Sequence, residues 1–212
     1  KKESIAWSFE FLTAKKWLAL PLEKLAFTVY EGDKTVPRDE ESAQLWKNLG
    51  VSKERIAYLG KDNFWSAGET GPCGPSTEIF YWKGEGEVPK KFDAADNRWV
   101  EIWNNVFMTY NRTASGKLEA LKQKNVDTGM GFERTLAVLS GKKSAYETDL
   151  FLSLIKEIEK LSKKKYDSEK SNMRIIADHL RAAVFLIGDP NGIAPSNVDQ
   201  GYVLRRLIRK AI

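Results

Sequence analysis

The sequence predicts an α+β fold, an antiparallel sheet followed by an α-helical segment, and two observations carry that expectation. Short β-branched and aromatic runs recur as far as residue 130, separated by stretches too polar to be buried crossover helices. After Tyr146 the apolar spacing becomes helical almost throughout. A boundary near residues 142–145 follows, which divides the chain into residues 1–143 and 144–212. No internal repeat is visible.

Taken in order, residues 4–20 space Ile5, Phe9, Leu12 and Trp17 as a helix packed on a sheet, and Pro21 stops it. Phe27-Thr28-Val29-Tyr30 reads as a strand ended by Glu31-Gly32-Asp33. Residues 39–49 read as a helix closed by Gly50. Thr70-Gly71-Pro72-Cys73-Gly74-Pro75 reads as a double turn whose glycines and prolines fix a rigid lip. Strands are expected at residues 79–82, 99–110 and 125–130, and helices at 132–139, 150–161 and 173–187. The tryptophans at 7, 17 and 46 are expected to serve core or surface packing rather than ligand contacts.

With 42% hydrophobic residues, the 212-residue chain can bury a sizeable core. No apolar run is long enough to span a bilayer and no basic-then-apolar leader is present, so neither a membrane helix nor a signal peptide is expected. The single cysteine, Cys73, excludes an internal disulfide and fits a reducing, cytoplasmic setting, and one cysteine with one histidine makes a zinc site within these residues unexpected. A net charge of +5 and a pI near 9.1 favour an anionic partner. Arg205, Arg206, Arg209 and Lys210 crowd the last helical pattern, whereas Lys163, Lys164 and Lys165 read as a solvated face.

Residues 126–134 place an acid, two alternating glycines and an arginine at a strand-to-helix junction. Gly129 and Gly131 strip side chains from one strand face, leaving backbone on which a flat group such as a nucleobase can lie. Arg134 can set its planar guanidinium over such a group. Asp127 on its own reads as a cap of the Thr128 turn or of the helix start. Strict alternation along the strand at 99–110 puts Ile102, Asn104, Val106 and Met108 on one face and Glu101, Trp103, Asn105 and Phe107 on the other. A buried Asn in an apolar strand must be paired or functional.

Gly129-Met130-Gly131-Phe132-Glu133-Arg134 resembles the third motif of the class II aminoacyl-tRNA synthetases. Three further blocks extend the resemblance along nearly the whole chain and narrow it to the alanyl-tRNA synthetase family. They are Asp62-Asn63-Phe64-Trp65 with the 70–75 run, then Glu101-Ile102-Trp103-Asn104-Asn105-Val106-Phe107-Met108, then Ala177-Asp178-His179 continuing to Pro195-Ser196-Asn197 and Gly201-Tyr202-Val203-Leu204-Arg205-Arg206.

The resemblance implies a partial class II catalytic core in residues 1–143 and the start of a helical tRNA acceptor-stem recognition domain in 144–212. Motifs one and two and further downstream domains would lie outside these residues. It implies ATP and alanine as substrates, Mg2+ as cofactor and the alanine tRNA as partner. Asp127 would orient the alanine ammonium, Trp65, Asn104, Val106 and Gly129 would line its pocket, and Gly129, Gly131 and Arg134 would hold ATP. Asn197 would read the acceptor stem, with Arg205, Arg206 and Arg209 on its phosphates. Glu101, paired with Asn104, is the weakest of these, a metal candidate that alternation puts on the wrong face unless a bulge intervenes. Asp178 and His179 are expected to be structural. A methyl-sized pocket rejects glycine and serine poorly, so proofreading would be expected downstream of Ile212. Two other readings stay open: a noncatalytic RNA-binding module, and a class II-like amino-acid ligase that does not act on tRNA.

Overall fold

The computed structural model describes residues 1–212, which form two compact units, residues 1–141 and 142–212. In the first, one sheet has the strand order β2-β1-β4-β5-β6, with β3 also pairing β4. Its strands are β1 (Leu25–Tyr30), β2 (Ile56–Leu59), β3 (Phe64–Ser66), β4 (Gly71–Trp82), β5 (Trp99–Arg112) and β6 (Leu118–Met130). All pairings are antiparallel except β1 with β2. That parallel pair brackets helix α2 (Glu40–Asn48), the crossover a parallel connection requires.

Helices α1 (Lys2–Thr13) and α2 cover one face of this sheet. Ile5 and Leu12 from α1, Ala43 and Trp46 from α2, and Phe27, Val29, Ile79, Ile102 and Phe107 from the strands form the main core. Asp39 caps α2 by accepting from the Ser42 amide at 3.1 Å, and Gly50 follows the helix with φ +91°, a conformation that favours glycine. Polar groups on this covered face are satisfied by one another. The Asn105 side chain accepts from Ser4 Oγ and Thr128 Oγ1 and donates to Ser8 Oγ, while Trp103 Nε1 donates to Thr128 Oγ1. Trp46 is fully buried, whereas Trp7 and Trp17 are 66% and 52% exposed at the surface, where Trp17 packs on Phe11 with ring centroids 5.4 Å apart.

The opposite face is covered at one end only. There the segment between β4 and β5 folds back so that Phe92 packs with Trp82, Trp99 and Ala26. In the middle of this second face Ser76 and Val106 are buried while Asp127 and Gly129 are exposed, and the candidate site lies there. Two readings of the sequence are corrected. Residues 71–75 are not a double turn but the first part of β4, because Phe64, Trp65 and Ser66 pair with Pro75, Gly74 and Cys73. Strand β6 begins at Leu118 rather than near 125, since its polar first half is held by the hairpin with β5.

The second unit contains α4 (Asp149–Ser162), α5 (Lys170–Gly188) and α6 (Asp199–Ala211). Phe151 and Ile155 of α4 pack on Met173 and Ala177 of α5. The α6 start is pressed close to its preceding loop: a Cβ on Gly201 would lie 2.7 Å from the Ala194 carbonyl oxygen. Helix α3 (Phe132–Leu139) belongs to the first unit, and no helix of the chain is long and apolar enough to cross a membrane.

Candidate functional site

Register between the three longest strands assembles the site. Val106 stands opposite Ser76 on one side and Asp127 on the other, and Asn104 stands between Glu78 and Gly129. Directly paired residues share a face, so Ser76, Glu78, Asn104, Val106, Asp127 and Gly129 project together onto the open side of the sheet. Their neighbours Thr77, Asn105 and Thr128 bond among the helices behind. Four of the residues singled out in the sequence, Asn104, Val106, Asp127 and Gly129, are therefore direct cross-strand neighbours.

The sequence expectation for Glu101 is corrected. A register shift between Ile79 and Phe80 pairs Phe80 with Glu101 while Ile79 pairs with Trp103, leaving Ile102 as the extra residue of a bulge. Ile102 turns into the helix-covered core, at 1% exposure, instead of sharing the face of Asn104. Glu101 thereby gains the Asn104 face.

Gly129 is bare: a Cβ there would meet nothing within 4 Å. Gly131 donates its amide to the Ile102 carbonyl at 2.8 Å and lies under the Arg134 stem, whose Cδ would be 3.5 Å from an added Cβ. Arg134, in the first turn of α3, donates from Nη1 to Glu101 Oε2 at 2.8 Å and to the Glu101 carbonyl at 3.1 Å. Asp127 is exposed on the open face. Trp65 is half-buried on β3 opposite Gly74, one strand removed from β5, so it borders the cluster from the far edge of β4.

Sequence reasoning missed Glu78 and Asn63. Burial pushes the Glu78 carboxyl up to about 7, helped by the nearby Glu101 charge and opposed by bonds from Thr28 and Asn63. Asn63 is fully buried, its amide 3.5 Å from Ser76 Oγ, and its Oδ1 has no partner; the Asn104 Oδ1 is likewise buried and unpartnered. A carboxylate two positions beyond a buried serine inside a strand was the available signal, obscured by reading residues 70–75 as a turn. Unpaired acceptors of this kind await a donor or a hard cation. Glu101 and the Asn104 amide oxygen are oxygen donors of the kind a hard cation takes, and of the two Glu101 already accepts from Arg134.

In the second unit Asn197, Arg205, Arg206 and Arg209 are all exposed, and Arg205 Nη1 donates to Asn197 Oδ1. Lys164 pairs with Glu169 at 3.0 Å.

An antiparallel sheet with one open face, a glycine-floored strand and an arginine at the following helix start defines a class of protein. The profile of the family described as tRNA synthetases class II (A) matches residues 1–212, and the chain belongs to that family. The chain is 57% identical to an alanine–tRNA ligase of Treponema denticola, over 100% of its own length and 36% of the relative. It is 48% identical to the alanine–tRNA ligase of Borrelia hermsii, over 37% of that protein, and 47% identical to that of an Anaeromyxobacter species, over 25%. The chain thus spans about a third of the length of the first two of these relatives.

Proposed function

We propose that the chain is the catalytic-sheet and first helical portion of an alanine–tRNA ligase, which couples ATP to the formation of alanyl-adenylate and passes the alanyl group to the 3′ end of the alanine tRNA. The observation that carries this reading is the cross-strand set Asn104–Gly129 and Val106–Asp127, with Arg134 following on α3. The names of the relatives agree with it.

The chemistry needs alignment more than acid-base groups. Asp127 accepts from the alanine ammonium, Asn104 hydrogen-bonds the amino acid, and Val106 limits the depth available to its side chain. Trp65 closes the outer wall. The adenine ring lies on the backbone of Gly129 and Gly131, under the Arg134 guanidinium, which also meets the distal phosphates. The alanine carboxylate then attacks the α-phosphate and pyrophosphate leaves. Glu101 and Asn104 would hold Mg2+, which when bound neutralises phosphate charge. In residues 142–212, Asn197 reads the minor groove of the acceptor stem and Arg205, Arg206 and Arg209 contact its phosphates. The setting is the cytoplasm.

Alanine-dependent ATP–pyrophosphate exchange by the full-length protein tests the reading. Asp127→Ala is expected to abolish exchange while leaving the melting temperature unchanged, because the side chain is exposed. Normal exchange in that variant would reject it. A noncatalytic RNA-binding module would bind tRNA with no exchange in any variant, and a ligase for other acceptors would exchange without charging tRNA.

A further inference from the structure

The side chains that the reading above gives to ATP and to Mg2+ hold one another, with Arg134 Nη1 2.8 Å from Glu101 Oε2. We propose that this pair is a latch: Arg134 occupies the Glu101 carboxylate and keeps a divalent cation from it until nucleotide phosphates draw the guanidinium away, so that cation and nucleotide bind as partners. The inference rests on the reading that Arg134 meets the phosphates of ATP and that Glu101 is a metal ligand.

Geometry is the first argument. The bulge at Ile102 turns Glu101 onto the face of Asn104, where a cation would be held. Strand β6 ends at Met130, opposite Trp103, and past that end Arg134 takes the Glu101 carbonyl at 3.1 Å. The Arg134 stem lies over Gly131, where an added Cβ would be 3.5 Å from its Cδ and 3.6 Å from its Cβ. Three holds therefore act on one side chain, and the carboxylate is the one a metal can take over. On giving it up, the guanidinium keeps its bond to the carbonyl and its seat on Gly131. Its other N–H groups then face the phosphates from a fixed stem.

Charge is the second argument. Glu78, Glu101 and Asp127 project onto one face of the sheet, and the Glu101 charge helps to raise the Glu78 carboxyl. Asn104 Oδ1 adds a buried acceptor without a partner. Left to itself, such a set of oxygens would gather divalent cations whether or not a nucleotide was present. Arg134 offsets that charge and fills one of the oxygens a cation would use. Phosphates reverse the balance, because they bind a guanidinium as well as a carboxylate does and free Glu101 as they do so. By linkage, the factor by which a nucleotide raises cation affinity is the factor by which the cation raises nucleotide affinity.

The probe is Mn2+, measured with full-length protein in the absence of nucleotide by the loss of its free-ion paramagnetic resonance signal. Arg134 is exposed, so Arg134→Gln is expected to keep the melting temperature of the unsubstituted protein. That variant is expected to bind Mn2+ about ten- to hundred-fold more tightly, the effect of removing one positive charge from beside a divalent ion. Adding Glu101→Gln to it should abolish the gain. The fold by which Mn2+ tightens binding of a non-hydrolysable ATP analogue should be smaller in Arg134→Gln than in the unsubstituted protein. Equal Mn2+ affinity in Arg134→Gln and the unsubstituted protein, or a gain that survives the loss of Glu101, would overturn the latch and leave the proposed function standing. Absence of alanine-dependent exchange in the unsubstituted protein would overturn the proposed function instead. The Mn2+ comparison uses neither alanine nor tRNA, and a gain that depends on Glu101 would still uphold the latch.

Discussion

Arg134 is pinned to Glu101 through both the carboxylate and the backbone carbonyl, at 2.8 Å and 3.1 Å. Two bonds from one nitrogen to one residue fix where the guanidinium sits before any nucleotide arrives. The arrangement exists because the bulge at Ile102 turns Glu101 toward the open face. Both side chains are partly solvated, so the pair adds no more than about 1 kcal/mol to stability. Its effect is orientation. Glu101→Gln is expected to lower kcat/KM for ATP in pyrophosphate exchange about ten-fold, the equivalent of roughly 1.4 kcal/mol, with little change in melting temperature. Unaltered ATP kinetics would mean that the pair does not set the nucleotide-binding geometry.

Behind the site, Asn105 ties β5 to both α1 and β6. It is fully buried and bonded to Ser4, Ser8 and Thr128. Asn105→Ala removes the shared partner of three hydroxyls, although Ser8 Oγ keeps its bond to the Ile5 carbonyl and Thr128 Oγ1 its bond from Trp103, and it leaves a cavity, so a loss of about 2–3 kcal/mol is expected in urea unfolding. Asn105→Asp keeps the acceptors but buries a charge, and a loss of similar size is expected. A loss below about 1 kcal/mol for both would show that the helix does not depend on this network.

Much of the architecture was legible because strong apolar periodicity fixes it. The alternation from Asn104 to Val106 and the helix at residues 132–139 needed no tertiary information. The bulge at Ile102 was not legible, because the residue that leaves the alternation is chosen by its fit among Ile79, Phe107 and the helices rather than by its own type. Short strands β2 and β3 escaped for a related reason. Ile56–Leu59 and Phe64–Ser66 are defined by their pairing with β1 and β4, and four or three residues carry no period of their own. Glu78 was hidden with them, since a carboxylate inside a strand reads as solvent-facing until a sheet and a covering turn bury it.

Gly129 and Gly74 make a controlled contrast on the same sheet. An added Cβ at Gly129 meets open space, but at Gly74 it would lie 2.1 Å from the Phe107 carbonyl oxygen. Gly129→Val is therefore expected to fold with a melting temperature at or above that of the unsubstituted protein, as β-branched residues favour strands. It should nonetheless lose nucleotide binding, measured by quenching of a fluorescent ATP analogue. Gly74→Ala should instead reduce soluble yield and unfolding midpoint. If Gly129→Val binds ATP normally, the bare strand is not the adenine floor.

Glu78 makes a pH-dependent contribution whose sign follows from its buried setting. The carboxyl titrates at about 7 in the folded chain against an ordinary value of 4.5, so the folded state holds a proton through the intervening range that the unfolded state has released. Stability from this group is full below about pH 4.5 and is lost as pH rises through about 7. Solvent screening limits the change to an order of 1–2 kcal/mol. Glu78→Gln keeps the shape and removes the charge. It is expected to match the unsubstituted protein in urea midpoint at pH 5 and to exceed it at pH 8, with other carboxylates contributing equally to both. A variant less stable at pH 8 would mean that the ionised Glu78 is the favoured form, held by the Thr28 hydroxyl and Asn63 amide more strongly than burial and Glu101 oppose it.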